Sequence, residues 1–260
     1  MTEVWVLGSG TPWPEGGRGP SSFAVVHGME VLVLDCGAGA SRRLVAMGRD
    51  PVQITALALS HEHPDHCGDL LAWLFACRVQ RRPGRLPLLH PEGMSRALDA
   101  LCVGWPSLFE WPGGGVDRMP LASEHQIVVG SFNISATSTA HSVDTRAYRV
   151  QLPDASVAYT ADTGPSDAVT LLANGVDLLL VECGGSDVDP HPWHLGPSDV
   201  ARLLSAARPA EAWVTHIPPH ADATAAIAEI AKAGLRIRRA EDGDVWRRGW
   251  TSAASPSTPD

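Results

Sequence analysis

Apolar residues in this chain come in short runs closed by glycine, proline or small polar residues. Runs this short read as strands rather than helices. They predict strands at 4–7, 22–27, 30–35, 54–60, 126–129, 132–137, 147–151, 156–160, 177–182 and 212–215. Helical spacing of the apolar positions predicts helices at 41–47, 66–81, 93–103, 167–174, 198–207 and 223–233. Pro165-Ser166-Asp167 and Pro197-Ser198-Asp199 read as helix starts, and Gly175 and Gly234 as helix stops. Strands and helices alternate through both halves, with hairpin-like strand pairs between them. That order predicts an α/β protein: two mixed β-sheets packed face to face and flanked by helices, a four-layered αββα sandwich. Residues 1–250 read as one domain. The stretch 251–260, made of Ser, Thr, Ala, Pro and Asp, cannot bury a core and reads as a disordered tail.

Composition narrows the partners. The chain has 260 residues, 44% of them hydrophobic, enough for a sizeable core. A formal net charge of −9 and a single lysine, Lys232, disfavour long-range attraction to tRNA or DNA. No apolar run reaches the length of a membrane span and no signal peptide opens the chain, so the expectation is a cytoplasmic protein with no membrane partner. The five cysteines are odd in number and form no CxxC pair, which reads as buried, reduced thiols. Cys67 touches the loop described next and is the one with a second reading.

His61-Glu62-His63-Pro64-Asp65-His66 follows the apolar run Ala56-Leu57-Ala58-Leu59. A loop after that strand can set His61 beside His63 and turn Asp65 and His66 toward a neighbouring point. Imidazole and carboxylate suit Zn, Mn or Fe, and these ligands can serve two metals. The further ligands such a site needs have candidates elsewhere. His141, Asp162 and His216 each stand just past an apolar strand. In layered α/β folds the loops at one end of the strands gather into one site.

With these residues in view, the chain resembles the metallo-β-lactamase superfamily, and within it the ribonuclease Z-like branch. Leu7-Gly8-Ser9-Gly10-Thr11-Pro12, with Arg18 and Ser21-Ser22 behind it, is similar to that branch's opening motif. Leu34-Asp35-Cys36-Gly37-Ala38-Gly39 resembles its second motif, and His61 to His66 its signature loop. Tyr159-Thr160-Ala161-Asp162-Thr163 resembles the segment with the bridging aspartate; Val181-Glu182, His194 and Thr215-His216 resemble later motifs. The resemblance implies a metallo-β-lactamase fold and a binuclear metal-dependent hydrolase. His61, His63 and His141 would hold one metal, Asp65, His66 and His216 the other, and Asp162 would bridge them. Two Zn2+ ions are the expected cofactors, with Mn2+ or Fe as alternatives. A metal-bridging hydroxide would be the nucleophile, and Asp65 would also accept its hydrogen bond. His194 would lie beside the scissile phosphate, stabilising the oxyanion or protonating the leaving group. The first reading is therefore phosphodiester hydrolysis on a small molecule or short nucleotide. The second is an ester, thioester or lactone hydrolase, or a thioesterase/cyclase-like enzyme of secondary metabolism. A metal-binding regulatory protein without chemistry is a third, disfavoured by the complete ligand set. A homodimer is left open.

Other residues carry two readings each. Asp35 either holds the ring N–H of a metal-ligating histidine or caps its own turn. Glu182 is either a site carboxylate or an ordinary polar strand end. Arg78, Arg81, Arg82 and Arg85 form an anion site or a solvated helix end. The aromatic stretch 105–117 either caps the cleft or tucks onto the core. Ribonuclease Z enzymes of this branch carry a long tRNA-gripping arm, in the bacterial form between the third histidine and the bridging aspartate. Here that interval is only the stretch 141–162, without a Gly- and Lys-rich insertion. The departure argues against tRNA as a partner and leaves the metal chemistry intact. So does Ala161, which stands where glycine is usual.

Overall fold

The computed structural model describes residues 1–248; the expected tail at 251–260 lies outside them. One sheet is built from β1 (Thr2–Gly8), β2 (Ser22–His27), β3 (Glu30–Leu34), β4 (Ala56–Ala58), β5 (Gly84–Pro91), β6 (Glu110–Trp111) and β7 (Gly114–Leu121). The other uses β8 (His125–Val129), β9 (Phe132–Ser138), β10 (Arg146–Gln151), β11 (Ser156–Tyr159), β12 (Leu178–Glu182), β13 (Glu211–Thr215) and β14 (Arg236–Arg239). A last strand, β15 (Val245–Arg247), returns to pair with β1. The spatial orders are β15-β1-β2-β3-β4-β5-β7-β6 and β14-β13-β12-β11-β10-β9-β8. Each sheet is antiparallel in one part and parallel in the other. The parallel runs are β3-β4-β5-β7 and β11-β12-β13-β14.

Side chains alternate between the two faces of each strand. In β3, Leu32 and Leu34 face the opposite sheet, where they meet a core that includes Phe132, Tyr148, Tyr159 and Leu180. Val31 and Val33 face outward into a second cluster with Leu44, Trp73 and Leu98. These belong to α1 (Ala40–Ala46), α3 (Leu70–Val79) and α4 (Ser95–Gly104), with the short α2 (Pro64–Cys67) and α5 (Pro106–Phe109) on the same side of the chain order. The outer face of the other sheet, with Leu179, Val181 and Val214, is covered by Val169, Leu204 and Ile230. Those come from α6 (Asp167–Leu172), α7 (Pro197–Ala207) and α8 (Ala223–Ile230). The result is the αββα sandwich that the pattern predicts. Strands buried on both faces explain why the sequence shows continuous apolar runs rather than clean alternation. Among the described residues no helix is long and apolar enough to cross a membrane.

Differences from the predicted elements have local causes. The single helix expected over 66–81 is two, α2 and α3. The loop after β3 intrudes: Cys36 N–H donates to the His66 carbonyl and Asp69 N–H to the Cys36 carbonyl, so the helical ladder is interrupted there. The strand expected over 54–60 shrinks to β4. Ser60 N–H turns away from any ladder and donates to Asp35 Oδ1 at 2.6 Å. β5 and β7 escape the pattern because Pro87, Pro91, Pro120 and the pair Gly114-Gly115 argue against strand. β14 escapes because it is arginine-rich; it is an edge strand, and Arg238 lies over the Trp213 ring at 4.1 Å. The aromatic stretch 105–117 becomes α5, β6 and the start of β7. Leu108, Phe109 and Trp111 are buried in the outer cluster, and Trp111 Nε1 donates to the Arg82 carbonyl. It is tucked onto the core at the sheet edge.

Candidate metal centre

The candidate ligands stand just beyond the C-terminal ends of strands, except Asp65 and His66, which lie on α2 behind the β4 loop. The 61–66 loop follows β4, His141 follows β9, Asp162 follows β11 and His216 follows β13. The topology brings them together in two adjoining groups. In the first, His63 Nδ1 lies 2.9 Å from His61 Nε2 and 3.2 Å from His141 Nε2. Asp162 Oδ2 is 3.9 Å from both His61 Nε2 and His141 Nε2. In the second, His66 Nε2 is 3.4 Å from Asp65 Oδ2 and 3.3 Å from Asp162 Oδ1. His216 Nε2 is 3.3 Å from Asp65 Oδ2 and 3.6 Å from Asp162 Oδ1. Asp162 thus gives one carboxylate oxygen to each group. Donors bonded tetrahedrally to one zinc at about 2 Å stand about 3.3 Å apart, so the observed spacings fit.

Orphaned atoms supply an independent test. His66 Nε2 and Asp162 Oδ1 are buried with no hydrogen-bond partner. Such atoms are expensive unless something else satisfies them. Electrostatics agrees. Burial pulls the His61 imidazole well below its usual range, toward the neutral form that a metal needs. Burial also opposes ionisation of Asp65, but the hydrogen bond of His216 and the charges of His66 and His216 outweigh it, and the carboxyl sits far below the usual range. The Asp162 carboxyl is likewise held well below, burial again being overcome by His216 and His66. His66 is pulled down by burial and up more strongly by Asp162 and Asp35, so its imidazole titrates well above the ordinary value. Two ionised carboxylates among imidazoles, with open donor atoms, are a suitable donor set for divalent cations.

A buried network aims the candidate ligands. Asp35, fully buried, is 2.7 Å from His66 Nδ1 through Oδ2 and accepts from Ser60 Oγ and Tyr159 Oη at 2.7 and 2.8 Å. Ser60 Oγ also reaches His61 Nδ1 at 2.9 Å. Of the two readings of Asp35, this is the one that holds a histidine ring. His141 Nδ1 is tied to the Trp193 carbonyl at 3.1 Å. Glu182 is buried: Oε1 is 2.9 Å from His194 Nδ1 and accepts Thr163 N–H, while Oε2 accepts Gly184 N–H. Burial lowers the His194 pKa, but the hydrogen bond and charge of Glu182 raise it by more. The His194 ring stacks on His216 at a 5.6 Å centroid distance and lies 5.3 Å from the His141 ring. With Nδ1 held by Glu182, Nε2 is the nitrogen left for other partners. Gly164 seats this loop: a Cβ there would come within 2.0 Å of the Pro192 carbonyl.

Sequence reasoning missed Ser60 and the Trp193 carbonyl as supports. Ser60 precedes the signature loop and offered a hydroxyl as its only signal; a backbone carbonyl offers none. The remaining candidates settle differently. Cys67 gives its thiol to the Glu62 carbonyl, and burial pushes the thiol up to about 11, so it is not a poised nucleophile. Arg78, Arg82 and Arg85 are engaged with Ser107, the Val52 carbonyl and Glu110 respectively, which favours the structural reading of the basic cluster.

Fold and site together define a metallo-β-lactamase superfamily hydrolase. The β-lactamase superfamily domain matches residues 30–217, and the chain belongs to that family. Ribonuclease Z of Mycobacterium bovis is 26% identical over 197 residues, 69% of each chain. An uncharacterized protein of Mycobacterium tuberculosis is 32% identical over 196 residues, 72% of this chain and 70% of that one. The solved metallo-β-lactamase fold protein YhfI from Bacillus subtilis shares the fold. It superposes with a TM-score of 0.84 and 23% identity, over 94% of this chain and 98% of that one.

Proposed function

We propose that the chain is a phosphodiesterase acting on a small molecule or short nucleotide, with two metal ions, zinc first, held by the paired donor groups. The observation that carries the reading is the Glu182–His194 pair stacked against His216, beside a carboxylate that faces both groups. When bound, divalent cations supply Lewis acidity and an activated water. The chain's own residues do the rest. His61, His63 and His141 with Asp162 Oδ2 hold one ion; Asp65, His66 and His216 with Asp162 Oδ1 hold the other. Asp65, kept ionised, takes the hydrogen bond of the attacking water. Glu182 fixes His194 in one orientation and favours its protonated form, so that Nε2 donates to the developing negative charge or the leaving oxygen.

Support for phosphodiesters comes also from a relative named a ribonuclease. Transfer RNA is outside the substrate class in this reading. The interval from His141 to Asp162 is spent on the β10–β11 hairpin, which leaves no room for a gripping arm. The test is metal analysis together with turnover of bis(p-nitrophenyl) phosphate, a p-nitrophenyl ester and a thioester on one preparation. About two metals per chain and preferential phosphodiester cleavage are expected. Ester or thioester turnover without phosphodiester turnover would move the reading to acyl hydrolysis.

A further inference from the structure

His216 is not free to choose its conformation. It follows β13 with φ at 56°, a left-handed setting that L-residues with side chains rarely adopt, and that persists only where the surroundings impose it. The surroundings are the opening loop of the chain. His216 N–H donates to the Ser9 carbonyl at 3.0 Å. Arg18, buried under the loop, donates from Nη2 to the same Ser9 carbonyl at 2.7 Å and from Nη1 to the Ile217 carbonyl at 3.2 Å. The guanidinium therefore holds both the carbonyl that receives the His216 N–H and the carbonyl of the residue that follows the histidine. Its Nε completes the hold at Ser9 Oγ, 3.2 Å away.

The loop itself is anchored from the far end of the chain. Asp242 Oδ1 accepts both Ser9 N–H and Ser9 Oγ–H at 2.9 Å, and Oδ2 accepts Gly19 N–H at 2.7 Å. The loop closes tightly on itself: Gly10 N–H donates to the Gly19 carbonyl, and a Cβ at Gly8 would fall 1.8 Å from the Pro20 carbonyl. Neither Arg18 nor Asp242 is among the candidate ligands.

We infer that Arg18 is a positioning residue for one of the two metal sites: its fork, anchored through Ser9 by Asp242, locks the backbone around His216 and so aims His216 Nε2 at Asp65 and Asp162. A planar two-ended donor is what the geometry uses, and lysine cannot reproduce it. This inference rests on the metal-centre reading above and goes beyond it in assigning selective control of the His216 site to a residue that touches no ligand side chain there.

The experiment is cobalt(II) titration of the metal-stripped full chain against a competing chelator, followed by the d–d absorption spectrum and circular dichroism. Wild type, Arg18→Lys and Asp242→Asn are compared. The expected result is two tight equivalents in wild type. In both variants one equivalent stays tight and the other weakens about 10–100-fold, the usual effect of losing a residue that orients a ligand. The visible spectrum of the weakened site changes and the circular dichroism does not. Two equivalents unchanged, or both weakened alike, would overturn the inference while leaving the metal centre in place. Collapse of circular dichroism in both variants would also overturn it, by making the network an element of the fold. A wild-type chain that takes up no cobalt would instead overturn the metal-centre reading, and this inference with it.

Discussion

Glu182 receives a 2.9 Å hydrogen bond from His194 Nδ1 while its own carboxylate is buried and further held by two backbone N–H groups. The acceptor cannot swing away, so the imidazole it holds is fixed in orientation, with Nδ1 as the donor to the carboxylate. Replacing the imidazole should therefore remove one transition-state donor and little else. His194→Ala is expected to lower turnover of a phosphodiester about 10²–10³-fold, with metal content unchanged. Steady-state kinetics and metal analysis on one preparation check this; loss of metal along with activity would make His194 a ligand.

The same pair sets a pH dependence. The His194 pKa is raised in the folded protein, the charge and hydrogen bond of Glu182 outweighing burial. A proton donor works below its pKa, so turnover should fall as pH rises through the raised value. Glu182→Gln removes the charge and lets the pKa drop. The alkaline limb of the kcat profile should then move to lower pH. A limb that stays in place would belong to another group.

Asp35 accepts from Ser60 twice and from Tyr159, and it pairs with His66. Asparagine keeps the shape but turns an NH2 group toward these donors. Asp35→Asn is expected to weaken metal binding about 10–100-fold and to lower stability by about 1–3 kcal/mol. Chelator competition and urea unfolding measure the two effects separately.

Removing metal should be felt by the whole domain. The donor groups lie at the ends of strands from both sheets, and ligand binding to the folded state alone stabilises it. At free zinc a hundredfold above Kd the gain is about 2.7 kcal/mol, which for a chain of this size is roughly 5–10 °C in Tm. Thermal unfolding before and after dialysis against chelator, with zinc then restored, should show a reversible shift of that order.

Precursor tRNA should be cleaved negligibly at physiological salt. The hairpin of β10 and β11 occupies the interval where an arm would be inserted, and the single lysine leaves few ammonium groups for phosphate. Efficient processing in a gel assay would show that tRNA binds through another surface.

How much of this was legible in the sequence depends on the kind of signal. The residues of the two donor groups were legible as candidates because imidazoles and carboxylates after apolar runs carry chemistry that few structural roles need, and the stretch 61–66 concentrates them. The sandwich was legible from alternating strands and helices. β5 and β14 were not, because proline and arginine mask strand character that tertiary pairing imposes. The break between α2 and α3 was invisible because Cys36, distant in sequence, takes the hydrogen bonds. The support of His141 was invisible because it is a peptide carbonyl, present at every residue. Ala161 is a different case. Its φ of 51° explains why glycine would suit that position, a backbone demand that becomes readable only with the dihedral in hand.

The tie from His141 Nδ1 to the Trp193 carbonyl joins a candidate metal ligand to the residue next to His194. In thermodynamic terms such a tie would make a bound ion and a substrate mutual effectors. If holding the ion through His141 steadies the 190–194 loop and so favours substrate by some factor, then substrate resting on that loop must favour the ion by the same factor. An idle enzyme would surrender its metal to a chelator more readily than a saturated one, and the protection that substrate confers would equal, fold for fold, the tightening of substrate binding that the metal brings.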